Sequence, residues 1–163
     1  MGLFSSGTAT RDRKAERQQA EAEATAAIAA HEIGHAIGCA AAGIEVRYVR
    51  LTARGGQVSH AEPDMDDQAQ VDGALVMTLA GWAAAAEWVH RQHRYSRSAA
   101  LSWARNGSRS DWAEFRRMKR HGSRGSGWYE REAQKLIRAN WSRIERYVAT
   151  LLRTGQLPGS HFN

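Results

Sequence analysis

The chain has 163 residues, a length that suits one globular domain and is too short for two. Of these residues 42% are hydrophobic and 25% are charged, which is typical of a globular protein. The net charge of +6 at pH 7 is compatible with an acidic partner, but the arginines are spread over several predicted helices, which favours a compositional bias over a nucleic-acid-binding surface. The single cysteine, Cys39, excludes a disulfide framework, and the lack of a long apolar run and of a signal-peptide core predicts a cytoplasmic protein without a membrane segment.

The first part of the chain predicts one long helix. Residues 1–12 are small and polar, which is typical of a flexible tail, and Thr10 or Asp12 is a candidate helix cap. Residues 13–42 predict a helix that is polar in its first half and apolar in its second half. Gly43 is the expected end of this helix, because glycine adopts the left-handed conformation that terminates many helices.

The apolar half of this helix contains His31, Glu32 and His35, which form the HExxH pattern of zinc peptidases. Residues four apart lie on one face of a helix, so the two imidazoles can bind one metal ion. Glu32 lies at the edge of that face, where its carboxylate can hold a water molecule bound to the metal and remove its proton. Charged and polar side chains are costly in an apolar helix without partners, which favours a metal site over a chance match.

A β-hairpin is predicted after this helix. Residues 44–51 alternate apolar and polar side chains with a period of two, which is typical of a half-buried strand. Residues 54–56 predict a turn, and residues 57–60 predict a short return strand. The acidic residues 62–67 predict a solvated loop and a helix cap in preference to a metal site.

Residues 67–92 predict a second helix with an apolar face. Its centre combines Gly81 with a run of alanines, which permits close packing against another helix. Glu87 is the one carboxylate in this apolar part of the helix. It is either a metal ligand, a support for a ligand histidine, or a partly exposed charge near the helix end.

The last part of the chain predicts two further helices joined by a flexible link. No element is predicted for the basic residues 91–109. The elements that follow are a helix over residues 111–121 with Ser110 as its cap, a link rich in Gly and Ser over residues 122–127, and an amphipathic helix over residues 128–153 that ends at Gly155.

A catalytic zinc ion usually has three protein ligands, and the HExxH pattern supplies two of them. The longer pattern HExxHxxGxxH is not present, because position 41 is alanine. The third ligand must therefore come from elsewhere in the chain. By residue type the candidates are Glu87, Asp111, His60, His90 and His93.

Several blocks of the sequence resemble, in the same order, the peptidase domain of the FtsH-type ATP-dependent zinc metalloproteases. The first three blocks are AAHEIGHAIG, which resembles the family's HEAGHA helix; VRYVRLTARGGQVSH, which is similar to its strand, Arg-Gly turn and return strand; and TLAGWAAAAEW, which resembles its LAGRAAEE helix. The last two are NGSRSDWAEFRRM, which resembles the TSGASNDI segment, and EREAQKLIRANWSRIERYVATLLRTGQLPG, which resembles the final helix. Together the blocks extend from about residue 25 to about residue 160.

This resemblance implies a mainly α fold of the α+β class, in which residues 13–160 form one helical zincin domain with a small β-hairpin after the HExxH helix. It implies that Asp111 is the third zinc ligand, because this residue falls on the aspartate of the family's SND block. Glu87 is then a carboxylate that supports a ligand or the fold. Ser110 replaces the asparagine of the SND block and Trp82 replaces the arginine of the LAGRAAEE helix, and both differences bear on substrate preference and subunit contacts.

The activity implied by the resemblance is that of a zinc-dependent metalloendopeptidase. Zn²⁺ would be bound by His31, His35 and Asp111, and Glu32 would be the general base. The sequence has no GxxxxGK[ST] motif, so we expect cleavage of flexible protein or peptide segments, or of substrates that a separate ATPase or adaptor delivers. The family forms rings, which leaves a homo-oligomer open. The alternatives are a catalytically silent peptidase-like module that binds peptides or proteins, and nucleic-acid binding through arginines and tryptophans.

Overall fold

The structure, a computed structural model, describes the backbone of residues 6–163 and the side chains of residues 12–163. This part of the chain is mainly helical, with one small antiparallel sheet, as the sequence predicts. The helices are α1 (Ser6–Ala41), α2 (Gln68–His93), α3 (Arg97–Gly107), α4 (Arg109–Met118), α5 (Ser126–Ala139) and α6 (Trp141–Thr154), with short 3₁₀ turns at Lys119–His121 and Gly159–His161. The strands are β1 (Val46–Thr52), β2 (Gly55–His60) and β3 (Gln156–Pro158).

Helices α1 and α2 form the centre of the molecule and approach each other through small residues. A Cβ atom at Gly34 would lie 2.5 Å from the carbonyl oxygen of Ala80, and one at Gly38 would lie 2.6 Å from the Cα atom of Met77. Larger residues at these positions would push the helices apart, because real Cβ atoms do not approach other atoms so closely. The buried side chains around this crossing include Ile33, as the apolar half of α1 predicts.

The sheet has the strand order β2-β1-β3, and both pairs are antiparallel. In the hairpin, Val49 is opposite Val58 and Thr52 is opposite Gly55, which confirms the predicted strand and return strand. The turn itself is at residues 53 and 54, whereas Gly55 and Gly56 of the predicted turn belong to β2. Strand β3 was not predicted, because it has only three residues and becomes a strand by pairing with β1. Strand β2 is at one edge of the sheet and lies beside α1.

Three predicted helix ends are confirmed. The Asp67 carboxylate accepts a hydrogen bond of 2.9 Å from the Ala69 amide and caps α2. Gly43 and Gly155 follow α1 and α6 with φ angles of +69° and +75°, the left-handed conformation that glycine adopts without strain.

The start of α1 differs from the prediction. The helix begins at Ser6 and not at residue 13, so Thr10 and Asp12 lie inside it and are not its caps. Residues 1–5 of the predicted tail lie outside the described residues. Helix α3 lies in the basic segment for which no element was predicted; Ser96 caps it, and it packs on α2 through two buried alanines, Ala100 and Ala104.

The prediction of Ser110 as the cap of α4 was wrong, because α4 begins at Arg109 and Ser108 occupies the N-cap position. The prediction of a single last helix was also wrong. Residues 128–153 are divided between α5 and α6 at Asn140, whose side-chain amide donates a hydrogen bond of 3.0 Å to the Leu136 carbonyl and whose backbone N–H also bonds to the end of α5. Helix α5 packs on α2 while α6 packs on α1, so the apolar pattern continues across a change of direction.

The predicted link over residues 122–127 is shorter in the structure, because α5 begins at Ser126. It is held against α2 by hydrogen bonds to Asp72. The Ser123 amide donates a hydrogen bond of 2.9 Å to Asp72, and the Tyr129 hydroxyl also donates to this carboxylate. None of the helices in the described residues is long and apolar enough to span a membrane.

Candidate metal centre

Three side chains from two distant segments of the described chain converge on one point. His31 Nε2 lies 3.0 Å from His35 Nε2 and 3.1 Å from Asp111 Oδ2, and His35 Nε2 lies 3.6 Å from the same carboxylate oxygen. Among the residues that the structure describes, this is the one group of three or more His, Cys, Asp or Glu side chains with the spacing of metal ligands.

The position of the histidines follows from the helical spacing of HExxH and from the packing of α1 against α2. His31 and His35 are one turn apart on α1 and have a partly buried T-shaped ring contact. Gly81 of α2 faces this pair, and a Cβ atom at Gly81 would lie 2.6 Å from His35 Cε1. Asp111 enters from the other side, in the first turn of α4. The centre is therefore built by three helices.

The outer nitrogens of both imidazoles have partners that direct Nε2 inward. His35 Nδ1 lies 2.9 Å from the Met77 carbonyl oxygen, which can only accept a hydrogen bond. In its neutral form His35 therefore carries its proton on Nδ1 and presents the Nε2 lone pair to the other two side chains. His31 Nδ1 lies 3.5 Å from the Ser108 hydroxyl. Such outer partners orient the histidine ligands of metal sites.

The geometry of this group fits a zinc ion. Ligand atoms about 2.0–2.1 Å from a tetrahedral zinc ion lie roughly 3.4 Å from one another. The three distances of 3.0, 3.1 and 3.6 Å are close to that value. Asp111 Oδ2 is buried and has no regular hydrogen-bond partner among the described residues. A cation between the three electron-pair donors would satisfy all of them, and two nitrogens with one carboxylate oxygen are a donor set that zinc accepts.

The electrostatics of the centre also favour positive charge. Burial raises the pKa of the Asp111 carboxyl, but the two imidazoles outweigh burial and hold this pKa well below its usual value. Burial lowers the pKa of His35, whereas Asp111 and Glu32 raise it, and the net direction is upward. The carboxylates therefore stabilise a cation at this point, either a proton on an imidazole or a metal ion.

Glu32 lies beside the three candidate ligands, between α1 and β2. A Cβ atom at Gly56 of β2 would lie 2.7 Å from Glu32 Oε1, so the strand can pass this carboxylate only because position 56 is glycine. Burial raises the pKa of Glu32, and the neighbouring histidines reduce this shift without cancelling it. A carboxylate with a raised pKa is a stronger base than one in water.

These groups open into a cleft with a volume of about 780 Å³. One wall is β2, and the opposite wall is α4 with the 3₁₀ turn that follows it. The apolar part of the lining includes Val58, Met65, Ala74, Met77 and Met118. An open cleft with an apolar floor and a cluster of polar groups at one point is the usual form of a small-molecule or peptide site.

The other candidates for a third ligand lie elsewhere or have other partners. His60 lines the cleft, but its Nδ1 donates to the Ala61 carbonyl and it is not part of the three-residue group. His90 Nδ1 lies 2.7 Å from the Tyr95 carbonyl oxygen, and His93 is 3.7 Å from Glu23.

Glu87 is a buried carboxylate with two arginine partners. It accepts hydrogen bonds of 2.6 Å from Arg91 and 2.8 Å from Arg97, and neither oxygen bonds to a histidine. Burial raises the pKa of Glu87, but the two guanidinium groups outweigh it and the pKa is lowered. Glu87 therefore connects α2 with α3, which agrees with a structural carboxylate and not with a partly exposed charge.

Sequence reasoning missed Ser108, Gly56 and the Met77 carbonyl. A backbone carbonyl has no sequence signal, and Gly56 is indistinguishable from an ordinary turn residue. Ser108 lies three residues before Asp111, and this spacing was a signal that could have been used.

Comparison of the chain with models of known protein families and with characterised proteins finds no match.

Proposed function

We propose that this protein is a zinc-dependent metalloendopeptidase that resembles the FtsH-type peptidase domain. Zn²⁺ is bound by His31, His35 and Asp111, and Glu32 is the general base. The observation that carries the proposal is the approach of Asp111 to the HExxH pair at the spacing of zinc ligands. The resemblance names this carboxylate from the sequence, and the tertiary structure brings it to the histidines independently of any motif.

The chemistry is divided between the ion and Glu32. When bound, Zn²⁺ supplies a Lewis acid that polarises the scissile carbonyl and lowers the pKa of the attacking water. The Glu32 carboxylate accepts a proton from this water and returns it to the nitrogen of the leaving amine. Its place beside the histidines, in the lining of the same cleft, keeps it close to the reacting atoms.

The substrate we propose is an extended, flexible polypeptide segment. Among the described residues no strand pairs with the outer edge of β2, and Gly56, Val58 and His60 of this strand line the cleft. An extended peptide can therefore add to the sheet beside β2, with its backbone held by strand hydrogen bonds and its side chains directed to the apolar floor. A folded substrate cannot offer a free strand, so unfolding or delivery by a separate ATPase or adaptor would extend the range of substrates.

The experiment compares the wild-type protein with Glu32→Gln. We expect the variant to bind zinc and to have the same far-UV circular dichroism spectrum, because amide and carboxylate have nearly the same shape. Its cleavage of casein and of quenched fluorescent peptides should fall at least about 100-fold, because the general base is lost. Glu145→Gln, an exposed change on α6, is the control and should cleave like the wild type.

Equal cleavage by Glu32→Gln and wild type would contradict the mechanism. A zinc-loaded wild-type protein that binds these peptides without cleaving them would instead support the peptide-binding module. Chelation of the metal by 1,10-phenanthroline should abolish cleavage, and addition of Zn²⁺ should restore it.

A further inference from the structure

Ser108 is a buried polar residue between α3 and α4. Its exposed fraction is 1%, and among the described residues only Thr78 and Glu87 are also polar or charged side chains in the buried class. Thr78 donates to the carbonyl one turn earlier in its own helix, and Glu87 has its two arginines. The Ser108 hydroxyl has neither kind of partner, so its burial needs another explanation.

The hydroxyl does not perform the usual task of a serine at this position. Ser108 is the N-cap residue of α4, where a serine side chain normally accepts a hydrogen bond from a backbone amide of the first turn. The structure has no such bond. The Ser108 Oγ atom lies instead 3.5 Å from His31 Nδ1. This distance is at the long limit of a hydrogen bond, and such contacts at functional sites often shorten only in the working complex.

We propose that Ser108 is the positioning residue of His31: its hydroxyl oxygen accepts a hydrogen bond from Nδ1–H, and this bond directs Nε2 to the metal. The inference rests on the proposed metal centre and deepens it. The Met77 carbonyl has the same task for His35, so each ligand imidazole has one acceptor behind it. An acceptor on Nδ1 selects the tautomer and the ring orientation that zinc requires.

The location of Ser108 makes this task compatible with the third ligand. Ser108 and Asp111 are three residues apart at the start of α4, so they point to the same side of the helix. One short segment therefore carries both a ligand and the group that orients another ligand. A displacement of α4 would affect both at once, whereas a change at Ser108 alone affects only His31.

The test is a matched pair of variants, Ser108→Thr and Ser108→Val, in the full-length protein. Both add one methyl-sized group to the buried position, and they differ in the hydroxyl alone. The readouts are the zinc dissociation constant, measured by competition with a chromophoric chelator, and the melting temperature of the metal-free protein. Ser102→Ala, an exposed change on α3, is the control and should bind zinc like the wild type.

We expect Ser108→Val to bind zinc about 10- to 100-fold more weakly than Ser108→Thr, because this is the usual effect of losing an outer partner of a histidine ligand. The melting temperatures of the two metal-free variants should both lie well above the temperature of the zinc titration, so that the affinities of two folded proteins are compared. Ser108→Ala adds no atoms, and it should show the same loss of affinity relative to wild type if the larger residues do not fold.

Equal zinc affinities for Ser108→Thr and Ser108→Val, or for Ser108→Ala and wild type, would overturn the proposal while leaving the metallopeptidase proposal intact. A wild-type protein that does not bind zinc would instead overturn the proposed function, and the role of Ser108 with it. A lower melting temperature of metal-free Ser108→Ala with unchanged zinc affinity would show that the hydroxyl only packs.

Discussion

Two glycines determine how closely neighbouring elements approach the proposed metal centre. Gly81 lets α2 pass the ring of His35, and Gly56 lets β2 pass the carboxylate of Glu32. Neither glycine has a positive φ angle, so the backbone does not require them. The side chains of Glu32 and His35 occupy the space that a Cβ atom at Gly56 or Gly81 would need. The two glycines are therefore needed for the position of these side chains.

Gly81→Ala should separate metal binding from folding. Alanine is a better helix former than glycine, but its methyl group would displace the His35 ring from the position at which Nε2 faces Asp111. We expect zinc affinity to fall by about 10-fold or more, as is usual when a ligand loses its orientation. Isothermal titration calorimetry with Zn²⁺ is the measurement. Gly107→Ala, where a Cβ atom meets nothing within 4 Å, is the control, and wild-type affinity in Gly81→Ala would refute the steric argument.

Helix α3 is the element that connects the core to the segment carrying Asp111. It is joined to α2 by the ion pair between Glu87 and Arg97 and by a hydrogen bond of 3.0 Å from Trp82 Nε1 to the Leu101 carbonyl. Trp82 stands where the resembling family has an arginine, so in this chain an indole N–H holds the neighbouring segment. The position of α4 thus depends on contacts that α3 makes with α2.

Glu87→Gln should lower stability without changing the metal site. The charged hydrogen bonds to Arg91 and Arg97 contribute about 1–2 kcal/mol, the lower part of the usual range because both guanidinium groups are roughly half exposed. Urea denaturation at pH 7 should show this loss. The zinc affinity of the folded variant should stay within about 3-fold of wild type, since Glu87 touches none of the ligands. A large loss of zinc affinity would instead give Glu87 a role in the centre.

The stability difference between wild type and Glu87→Gln should also depend on pH. The pKa of Glu87 is lowered from its ordinary value of 4.5, so the folded state binds this proton less readily than the unfolded state. The stabilisation is therefore complete above pH 4.5 and is lost as the pH falls through the lower pKa of the folded state. Denaturation curves at pH 7, 5 and 3 should show a difference that shrinks at the lowest pH. A constant difference would mean that the charge of Glu87 does not stabilise the fold.

At the scale of the whole molecule, the proposed metal centre lies between α1 and α4. The core itself is independent of this link: it is a continuous cluster of buried apolar residues from all six helices and from strands β1 and β3. A metal ion would therefore add stability to a fold that exists without it. This differs from small zinc-dependent domains, which unfold when the metal is removed.

Zinc should raise the melting temperature, and its removal should not unfold the protein at room temperature. With free Zn²⁺ at about 100 times the dissociation constant, binding adds about 2.7 kcal/mol, which corresponds to roughly 5–10 °C for a domain of this size. Differential scanning calorimetry with Zn²⁺ and with EDTA is the measurement. Asp111→Asn should lose most of the shift, while Asp66→Asn in the exposed loop should keep it. An equal melting temperature of the wild type in both buffers would contradict a folded-state zinc site.

The features that could be predicted from the sequence depend on residues close together in the chain. The HExxH face, the hairpin, the cap at Asp67 and the glycine at the end of α1 each follow from a pattern of a few residues, and the structure has all of them. Prediction from local patterns failed for the last helix, because the same apolar periodicity fits one long helix or two shorter ones. The apolar stripe of residues 128–153 continues through Asn140, because α5 and α6 each face the core, so periodicity alone cannot show that the chain turns there.

Only the tertiary structure distinguishes the candidate third ligands by their distance from the two histidines. Glu87 and Asp111 are both carboxylates on helices, and the residues around Glu87 are the more apolar. Glu87 is directed to two arginines, whereas α3 and α4 pack on α2 so that Asp111 meets His31 and His35. The sequence by itself determined that the imidazoles of His31 and His35 share one face of a helix, because residues four apart lie one turn apart. A contact between distant segments depends on how whole helices pack, and that information is not contained in any local pattern.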